Sequence, residues 1–230
     1  FAIINTSQGN SSKLTITEGA TKIVKSGNHG WQTTNANIAV SVGKWYAEFK
    51  LDTSCTLVML GVNQADSEVA WNGSHIGAYS NSTAQGMGYY SQNGYFYRNG
   101  GSGAIGSTYT AGDIIGIALD LDASTQTVTF YKNNASQGSI NLTDVGNEGY
   151  SVSCGSGSGS TNATANFGQD SSFVGVKTAQ GNTDGNGVGD FYYALPTGYL
   201  ALCSANLTES SITDASDNFN TVLYTGNNGN

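Results

Sequence analysis

The chain is poor in charged residues, and positive charge is especially scarce. Only 10% of its 230 residues are Asp, Glu, Lys or Arg, against about 25% in an average domain, and Arg98 is the single arginine. A nucleic-acid backbone or an anionic membrane surface is bound mainly through Lys and Arg. Because the formal net charge is −8, neither is an expected partner of this chain.

Long apolar runs, helical periodicity and cysteine pairs are also lacking. No run approaches the ~20 apolar residues of a membrane span, so we expect no membrane insertion. No window places apolar residues at i, i+3, i+4 and i+7 without glycine or β-branched clusters, which disfavours helices. The three cysteines, Cys55, Cys154 and Cys203, lie far apart and outside any CxxC pattern. This favours buried thiols over a disulfide or a metal site.

The residues that are abundant indicate a β protein rich in turns. Apolar residues make up 38% of the chain and aromatic residues 10%, which argues against disorder. The stretch at 112–133 reads GDIIGIALDLDASTQTVTFYKN and predicts a hairpin, with Ile115, Ile117, Leu119 and Leu121 on the core side of one strand. Asn-Gly pairs at 93–94 and 99–100 predict type I′ turns, because this dipeptide accepts φ > 0 at both central positions.

Three segments resemble the SPRY domain family. GKWYAEF resembles its "G-K-x-Y-x-E" strand, VMLGVN its "G-V" strand, and GDIIGIALDLDASTQTVTFYKN its "G-D-x-x-G-x-x-L-D" and "x-F-Y-x-N" strands, over about residues 31–168. The resemblance implies an all-β fold, a bent antiparallel β-sandwich of the jelly-roll type. It also implies a binding platform that acts through its loops and not as an enzyme. Where many members continue with Asn-Gly, this chain has Asn133-Asn134, and since Asn tolerates the left-handed conformation we expect the turn to be retained.

The resemblance extends to domain boundaries and to a biological setting. We assign residues 1–208 to the SPRY-like domain, 209–218 to a polar linker, and 219–230 to the start of a following module. ALPTGYLALCSANL resembles the end of a subgroup of SPRY-containing phage proteins, and FNTVLYTGNNGN resembles the module that follows there. Since the chain starts with Phe1 instead of Met, we interpret it as a piece of a longer protein. The resemblance to phage proteins implies that the chain is located in a virion, outside the cell, as part of a tail or head fibre.

Patterns that suggest catalysis have simpler interpretations. Asp120 and Asp122 share one face of a strand but lack the E-x-D-x-x-E run of glycoside hydrolases on sandwich folds, so we interpret them as a pair that caps a turn. GSGAIG at 101–106 matches G-x-G-x-x-G, yet strand-like residues follow it where a dinucleotide site requires a helix. No G-x-S-x-G or H-E-x-x-H motif is present. We expect no enzyme.

The segment NTDGNGVGD raises the question of a calcium site. Asn182, Asp184 and Asn186 are spaced at i, i+2 and i+4, Gly187 follows where a sharp turn is needed, and Asp190 comes next. Calcium is bound by such clusters of oxygen atoms. The glutamate expected at the twelfth position is replaced by Tyr193, so an ordinary turn rich in Gly and Asn is the alternative. Calcium is the one cofactor that the sequence suggests.

Aromatic residues concentrate between positions 71 and 97. In the YFY run, alternation puts Tyr95 and Tyr97 on one face of a strand and Phe96 on the other, where we expect it in the core. Exposed Tyr and Trp beside Asn and Gln hold sugars by stacking and also suit protein partners. The predicted ligand-binding residues are Trp71, His75, Tyr79, Tyr95, Tyr97 and Arg98.

Three hypotheses for the function follow. The first is a non-enzymatic adhesion module of a phage virion that recognises a host-surface glycan or protein. The second is a purely structural decoration or spacer that contacts neighbouring virion subunits. The third is a glycan-degrading enzyme, for which Asp66, Glu68 and Asp113 are the candidate carboxylates. A homotrimer would suit a fibre, although no coiled-coil heptads indicate one.

Overall fold

The computed structural model describes residues 1–7, 13–25, 27, 29–52, 57–65, 75–78, 86–142, 149–157, 159–207 and 226. Within these ranges the chain forms β-strands and no helix, and therefore no helix long and apolar enough to cross a membrane. The strands are β1 (Leu14–Thr17), β2 (Lys22–Lys25), β3 (Gln32–Asn35), β4 (Lys44–Leu51), β5 (Val58–Gln64), β6 (Gly86–Tyr90), β7 (Tyr95–Arg98), β8 (Gly101–Ala104), β9 (Ile114–Asp120), β10 (Thr127–Lys132), β11 (Ala135–Asn141), β12 (Tyr150–Ser156), β13 (Thr161–Asn166) and β14 (Leu200–Ala201).

The strands form two sheets, one of eight strands and one of six. The larger sheet has the order β1-β2-β13-β4-β9-β10-β11, and the smaller has the order β3-β12-β5-β6-β7-β8. Neighbours pair antiparallel, except that the short β14 runs parallel to the start of β4. The predicted all-β sandwich is confirmed, and no described part of the chain is helical.

The main hydrophobic core lies between the inner faces of the two sheets. On β9, Ile115, Ile117 and Leu119 are each at most 1% exposed, as are Val128 and Phe130 on β10. Val128 pairs with Leu119 and Phe130 with Ile117 in the antiparallel ladder. The apolar run in the sequence is therefore core, as predicted, and full burial of each such side chain stabilises the fold by about 1.5–3 kcal/mol.

The turns of this hairpin use the polar residues that the sequence singles out. Asp120 Oδ1 accepts hydrogen bonds from the backbone N–H groups of Asp122 and Ala123, both at 3.1 Å, so Asp120 caps the turn as predicted, whereas Asp122 Oδ1 accepts the N–H of Gly43 instead. At the other end, Asn133 and Asn134 have φ values of 49° and 68°, and the turn is retained without glycine. Asn133 Oδ1 also accepts the N–H of Ile114 at 2.9 Å.

The two Asn-Gly pairs form different turns. Asn99 and Gly100 both have positive φ, 48° and 72°, which confirms a type I′ turn between β7 and β8. At 93–94 only Gly94 has positive φ, at 71°, so the prediction of a type I′ turn there is wrong. Asn93 instead accepts the N–H of Tyr95 through its side-chain Oδ1 at 3.0 Å, an Asx turn that suits the longer connection between β6 and β7.

The segment after β13 covers the outer face of the larger sheet. The ring of Phe191 packs against Tyr46 of β4 with centroids 5.5 Å apart. Ala118, Ala201 and Cys203 complete this second apolar cluster, which is separate from the main core. The residues that the sequence leaves without an obvious role after position 168 thus form part of the folded domain. The predicted linker and following module, 209–230, lie outside the described residues apart from Gly226.

Glu48 of β4 joins this covering segment to the sheet. Its side chain is fully buried. Its oxygens accept the N–H groups of Tyr192 and Tyr193, both at 2.9 Å, Nδ2 of Asn166 at 3.2 Å and Oη of Tyr46 at 3.4 Å. Burial raises the pKa of Glu48 to about 7, and these donors, which favour the charged form, limit the rise. Glu48 is a structural carboxyl group poised to titrate near neutral pH.

Candidate functional site: an aromatic surface on the smaller sheet

Strand alternation directs several rings to the outer face of the smaller sheet. Tyr89 and Phe96 are directly opposite each other in the β6–β7 ladder and face inward. Tyr90, Tyr95 and Tyr97 therefore point outward. The predicted split between Tyr95 and Tyr97 on one face and Phe96 on the other is confirmed. Phe96 is half-buried, so its expected place in the core is wrong; it lies over Gly103 of the edge strand β8, where a Cβ would be 2.8 Å from its ring.

Four half-buried rings from three parts of the chain meet on this face. Trp31 contacts His75 and Tyr90 at centroid distances of 5.3 and 5.8 Å. Tyr97 contacts the same two rings at 5.4 and 5.7 Å. Tyr95 lies next to them on β7 and is 40% exposed. We call Trp31, His75, Tyr90, Tyr95 and Tyr97 the aromatic surface.

His75 reaches this surface because the next residue is buried in the outer face of the sheet. Ile76 is fully buried, and it sits where two strand glycines lack a side chain. A Cβ at Gly88 would lie 3.1 Å from Ile76 Cβ, and one at Gly155 would lie 3.6 Å from Ile76 Cγ1. The backbone of Gly77 also accepts a hydrogen bond from the N–H of Gly100 at 3.1 Å. The segment 75–78 is thereby held against β6, β7 and β12.

Glycine also brings Trp31 into the surface. Trp31 precedes β3, which is separated from β6 by β12 and β5. Its ring extends over Gly157, where a Cβ would lie 3.3 Å from the indole. The tyrosine hydroxyls are oriented by neutral partners, since Tyr90 donates to Gln92 at 2.9 Å and Tyr97 accepts from Asn93 at 3.1 Å. Burial first, and then Tyr97, raises the pKa of Tyr90, which keeps this hydroxyl protonated.

Gly88→Ala is expected to destabilise the domain by about 1–3 kcal/mol, because overpacking forces neighbours to move. Its Cβ would lie 2.4 Å from Met59 Cγ as well as close to Ile76, so the segment carrying His75 has to shift. Thermal unfolding and near-ultraviolet circular dichroism of the aromatic rings measure both effects. Gly185→Ala is the matched control, since its Cβ meets nothing within 4 Å. Equal results for the two variants would contradict this packing.

The structure brings together part of the predicted ligand-binding set. His75, Tyr95 and Tyr97 lie in the aromatic surface. Arg98 faces the opposite side of β7 and donates from Nη1 to the carbonyl of Asn141 at 2.7 Å, so it links the two sheets. Trp71 and Tyr79 lie outside the described residues. Sequence reasoning missed Trp31 and did not select Tyr90, and for Trp31 no local signal exists, because its contacts depend on strand order.

The predicted calcium loop is filled with hydrogen bonds inside the protein. The carboxylate of Asp184 accepts four: N–H groups of Asn186, Val188 and Ala201, each at 2.9 Å, and Nδ2 of Asn206 at 2.7 Å. Burial alone would raise the pKa of Asp184, but these hydrogen bonds outweigh it and hold the pKa below its usual range.

The other members of the loop are engaged in a similar way. Asp190 Oδ1 accepts the N–H of Gly181 at 3.1 Å, and Asn182 Nδ2 donates to the carbonyls of Phe191 and Tyr192. Among the described residues, no three His, Cys, Asp or Glu side chains group as metal ligands do. This donor set does not fit calcium as it stands, because Asp184 has no unengaged oxygen and Asn182 presents its amide nitrogen to carbonyls.

Calcium is therefore expected to leave the unfolding temperature of the chain unchanged. Isothermal titration and thermal unfolding with calcium, and again with a chelator, measure this directly. Heat release together with a rise in unfolding temperature that the chelator reverses would instead support calcium binding by Asp184 and its neighbours.

The candidate carboxylates of the enzyme hypothesis do not form a described cleft. Asp113 accepts the N–H of Thr110 at 2.9 Å and Nδ2 of Asn133 at 2.7 Å, and its Oδ2 lies 3.3 Å from Lys132 Nζ. These contacts are those of a turn at the start of β9. Asp66 and Glu68 lie outside the described residues.

Two antiparallel sheets with a hydrophobic core between them define a β-sandwich domain. Residues 44–170, more than half of the chain, match the model of the SPRY domain family. The chain belongs to the SPRY family, whose domains are generally protein-interaction modules and typically not enzymes.

Solved structures agree with this assignment. The SPRY domain of human HERC1 is 17% identical, with a TM-score of 0.56, over 70% of this chain and 96% of that chain. Another human SPRY domain is 17% identical, with a TM-score of 0.51, over 66% of this chain and 93% of that one. Identities this low show the fold alone. No curated protein sequence matches the chain.

Proposed function

We propose that the chain is a non-enzymatic binding module that engages its partner through the aromatic surface. The observation that carries this proposal is a cluster of four rings on the outer face of one sheet, in which each ring contacts two of the others. The four are Trp31, His75, Tyr90 and Tyr97. Rings that are packed on one side and open on the other lose little conformational entropy on binding, and Tyr and Trp dominate the binding energy of many interfaces. The exposed Tyr95 extends the surface toward the edge of the sheet.

The setting that we propose is a phage virion, as part of a tail or head fibre that contacts the host surface. Support comes from the resemblance of ALPTGYLALCSANL to phage SPRY-containing proteins and from the low charge of the chain. A protein is the preferred partner, because SPRY domains generally mediate protein interactions. A host glycan would use the same rings by stacking.

Binding of the labelled chain to a panel of bacterial cells tests the function. We expect Tyr97→Ala to weaken binding at least about tenfold, as loss of an interface hot spot does. Tyr131→Ala is the matched control, since Tyr131 is also a half-buried strand tyrosine but lies in the larger sheet. Protease treatment of the cells distinguishes a protein partner from a glycan. Equal binding by both variants would contradict the proposal, and assembly into particles without any cell binding would favour a structural module.

A further inference from the structure

The strand β8 forms one edge of the smaller sheet, next to the aromatic surface. β7 pairs with it on one side, and no described residue pairs with it on the other. Gly101, Ser102 and Ala104 of this strand are exposed. An edge strand presents unpaired backbone donors and acceptors to any extended chain that approaches.

The β7–β8 turn determines which backbone groups point outward. In a hairpin closed by a two-residue type I′ turn, Arg98 and Gly101 form a hydrogen-bonded pair, and so do Phe96 and Gly103. The N–H and C=O groups of Ser102 and Ala104 therefore point away from β7. The next residue fits this alternation, because the N–H of Ile105 turns back and donates to Gly94 at 3.1 Å.

The opposite edge of the same sheet is covered. The N-terminal segment runs along β3. There the backbone N–H of Asn5 donates to the carbonyl of Asn35, and the backbone N–H of Asn37 donates to the carbonyl of Ile3, both at 2.8 Å. β8 has no such cover within the described residues, and it carries no proline, lysine or other charged side chain that would block another strand.

We propose that β8 binds an extended peptide segment of the partner protein as an added strand, a mode that rests on the proposed binding function of the aromatic surface. Tyr97 lies opposite Ser102 and Tyr95 lies opposite Ala104, so these rings share the outer face with the added strand. Adjacent strands are about 4.8 Å apart. Because Ser102 and Ala104 have short side chains, the tyrosine rings can contact side chains of the peptide across β8.

This geometry specifies the chemistry of the peptide. Residues of the added strand that face the tyrosines recur at every second position, and large apolar or aromatic side chains fill the space beside Tyr95 and Tyr97. The net charge of −8 disfavours an acidic peptide. The peptide is therefore neutral or basic.

A second copy of this chain fits the edge less well. Two β8 edges paired antiparallel would place Ser102 of one copy against Ala104 of the other and would bury almost no apolar side-chain area. Stable protein interfaces bury on the order of 1,200–2,000 Å². A peptide with large alternating side chains supplies the area that a second β8 lacks.

A displayed library of random peptides about twelve residues long, selected on the full chain, provides the probe. Selected peptides are synthesised and titrated, and each amide is then N-methylated in turn. We expect methylation at every second residue to weaken binding at least about tenfold, with little effect between, because alternate N–H groups pair with β8. Ala104→Pro removes an outward N–H and is expected to weaken binding by a similar factor, while Ala104→Ser retains it.

Each outcome supports or overturns the added strand. Should Ala104→Pro fail to fold, the methylation series on the unmodified chain decides. Peptides that bind without a two-residue period overturn the edge pairing, and if they still require Tyr97 the proposed binding function stands. Cell binding that depends on Tyr97 while no peptide is selected also overturns it and points to a glycan. Self-association that Ala104→Pro abolishes would replace the peptide by a second copy of the chain.

Discussion

Asp184→Ala is expected to lower the free energy of unfolding by about 3–5 kcal/mol. The buried carboxylate lies in the covering segment and accepts four hydrogen bonds, two of them from Asn206 and from Ala201 of β14, the strand that pairs with β4. Hydrogen bonds to a charged group contribute about 1.5–3 kcal/mol each, and removal of a buried ionic partner leaves its donors unsatisfied. Urea unfolding followed by tryptophan fluorescence measures the loss.

Asp122→Ala is the matched control for this experiment. Asp122 is exposed, and its Oδ1 accepts one backbone N–H, that of Gly43 at 2.7 Å. We expect that variant to lose about 1 kcal/mol. A loss at Asp184 no larger than at Asp122 would mean that the carboxylate does not hold the covering segment in place.

The free energy of unfolding is expected to fall as pH rises from about 5 to 8, because of Glu48. The folded state raises its pKa from 4.5 to about 7, so the folded protein holds a proton that the unfolded chain has released. This contribution is fully present below the unfolded pKa and is lost as pH rises through the folded pKa. A change of this size in pKa corresponds to about 3 kcal/mol. Urea unfolding at a series of pH values measures it.

The variant Glu48→Gln distinguishes the contribution of Glu48 to the pH dependence of stability from the contributions of the other carboxyl groups. The side-chain shape is kept while the titration is removed, so the variant should show a nearly flat profile from pH 5 to 8. Asp120, Asp170 and Asp184 have lowered pKa values, and their contributions are lost only as pH falls below about 4. A profile that stays steep in Glu48→Gln would assign the pH dependence to another group.

Local pattern was enough to predict the core hairpin and the facing of the tyrosines on β7, but not which strands lie next to one another in the sheets. Alternation alone assigned Tyr95 and Tyr97 to one face, and the motif at 112–133 located the core hairpin. Trp31 was missed because its place depends on the order of β3, β12, β5 and β6, and on the missing side chain at Gly157, neither of which a local window contains.

The segment that suggested calcium also shows why local spacing is not sufficient. A loop of Asn, Asp and Gly suits either an ion or a set of backbone donors. Which of these Asp184 meets depends on Ala201 and Asn206, 17 and 22 residues further along the chain. These two residues meet Asp184 only because the covering segment packs on β4. The residue spacing within the loop therefore could not predict them.

The way residues 168–206 lie on the larger sheet determines how a shorter recombinant version should be cut. A fragment ending at residue 170, where the family match stops, would leave Tyr46 and Ala118 in contact with water and Glu48 without the N–H groups of Tyr192 and Tyr193. Exposed apolar surface of this kind promotes aggregation during expression. Material prepared through Leu207 keeps that side of the sandwich closed.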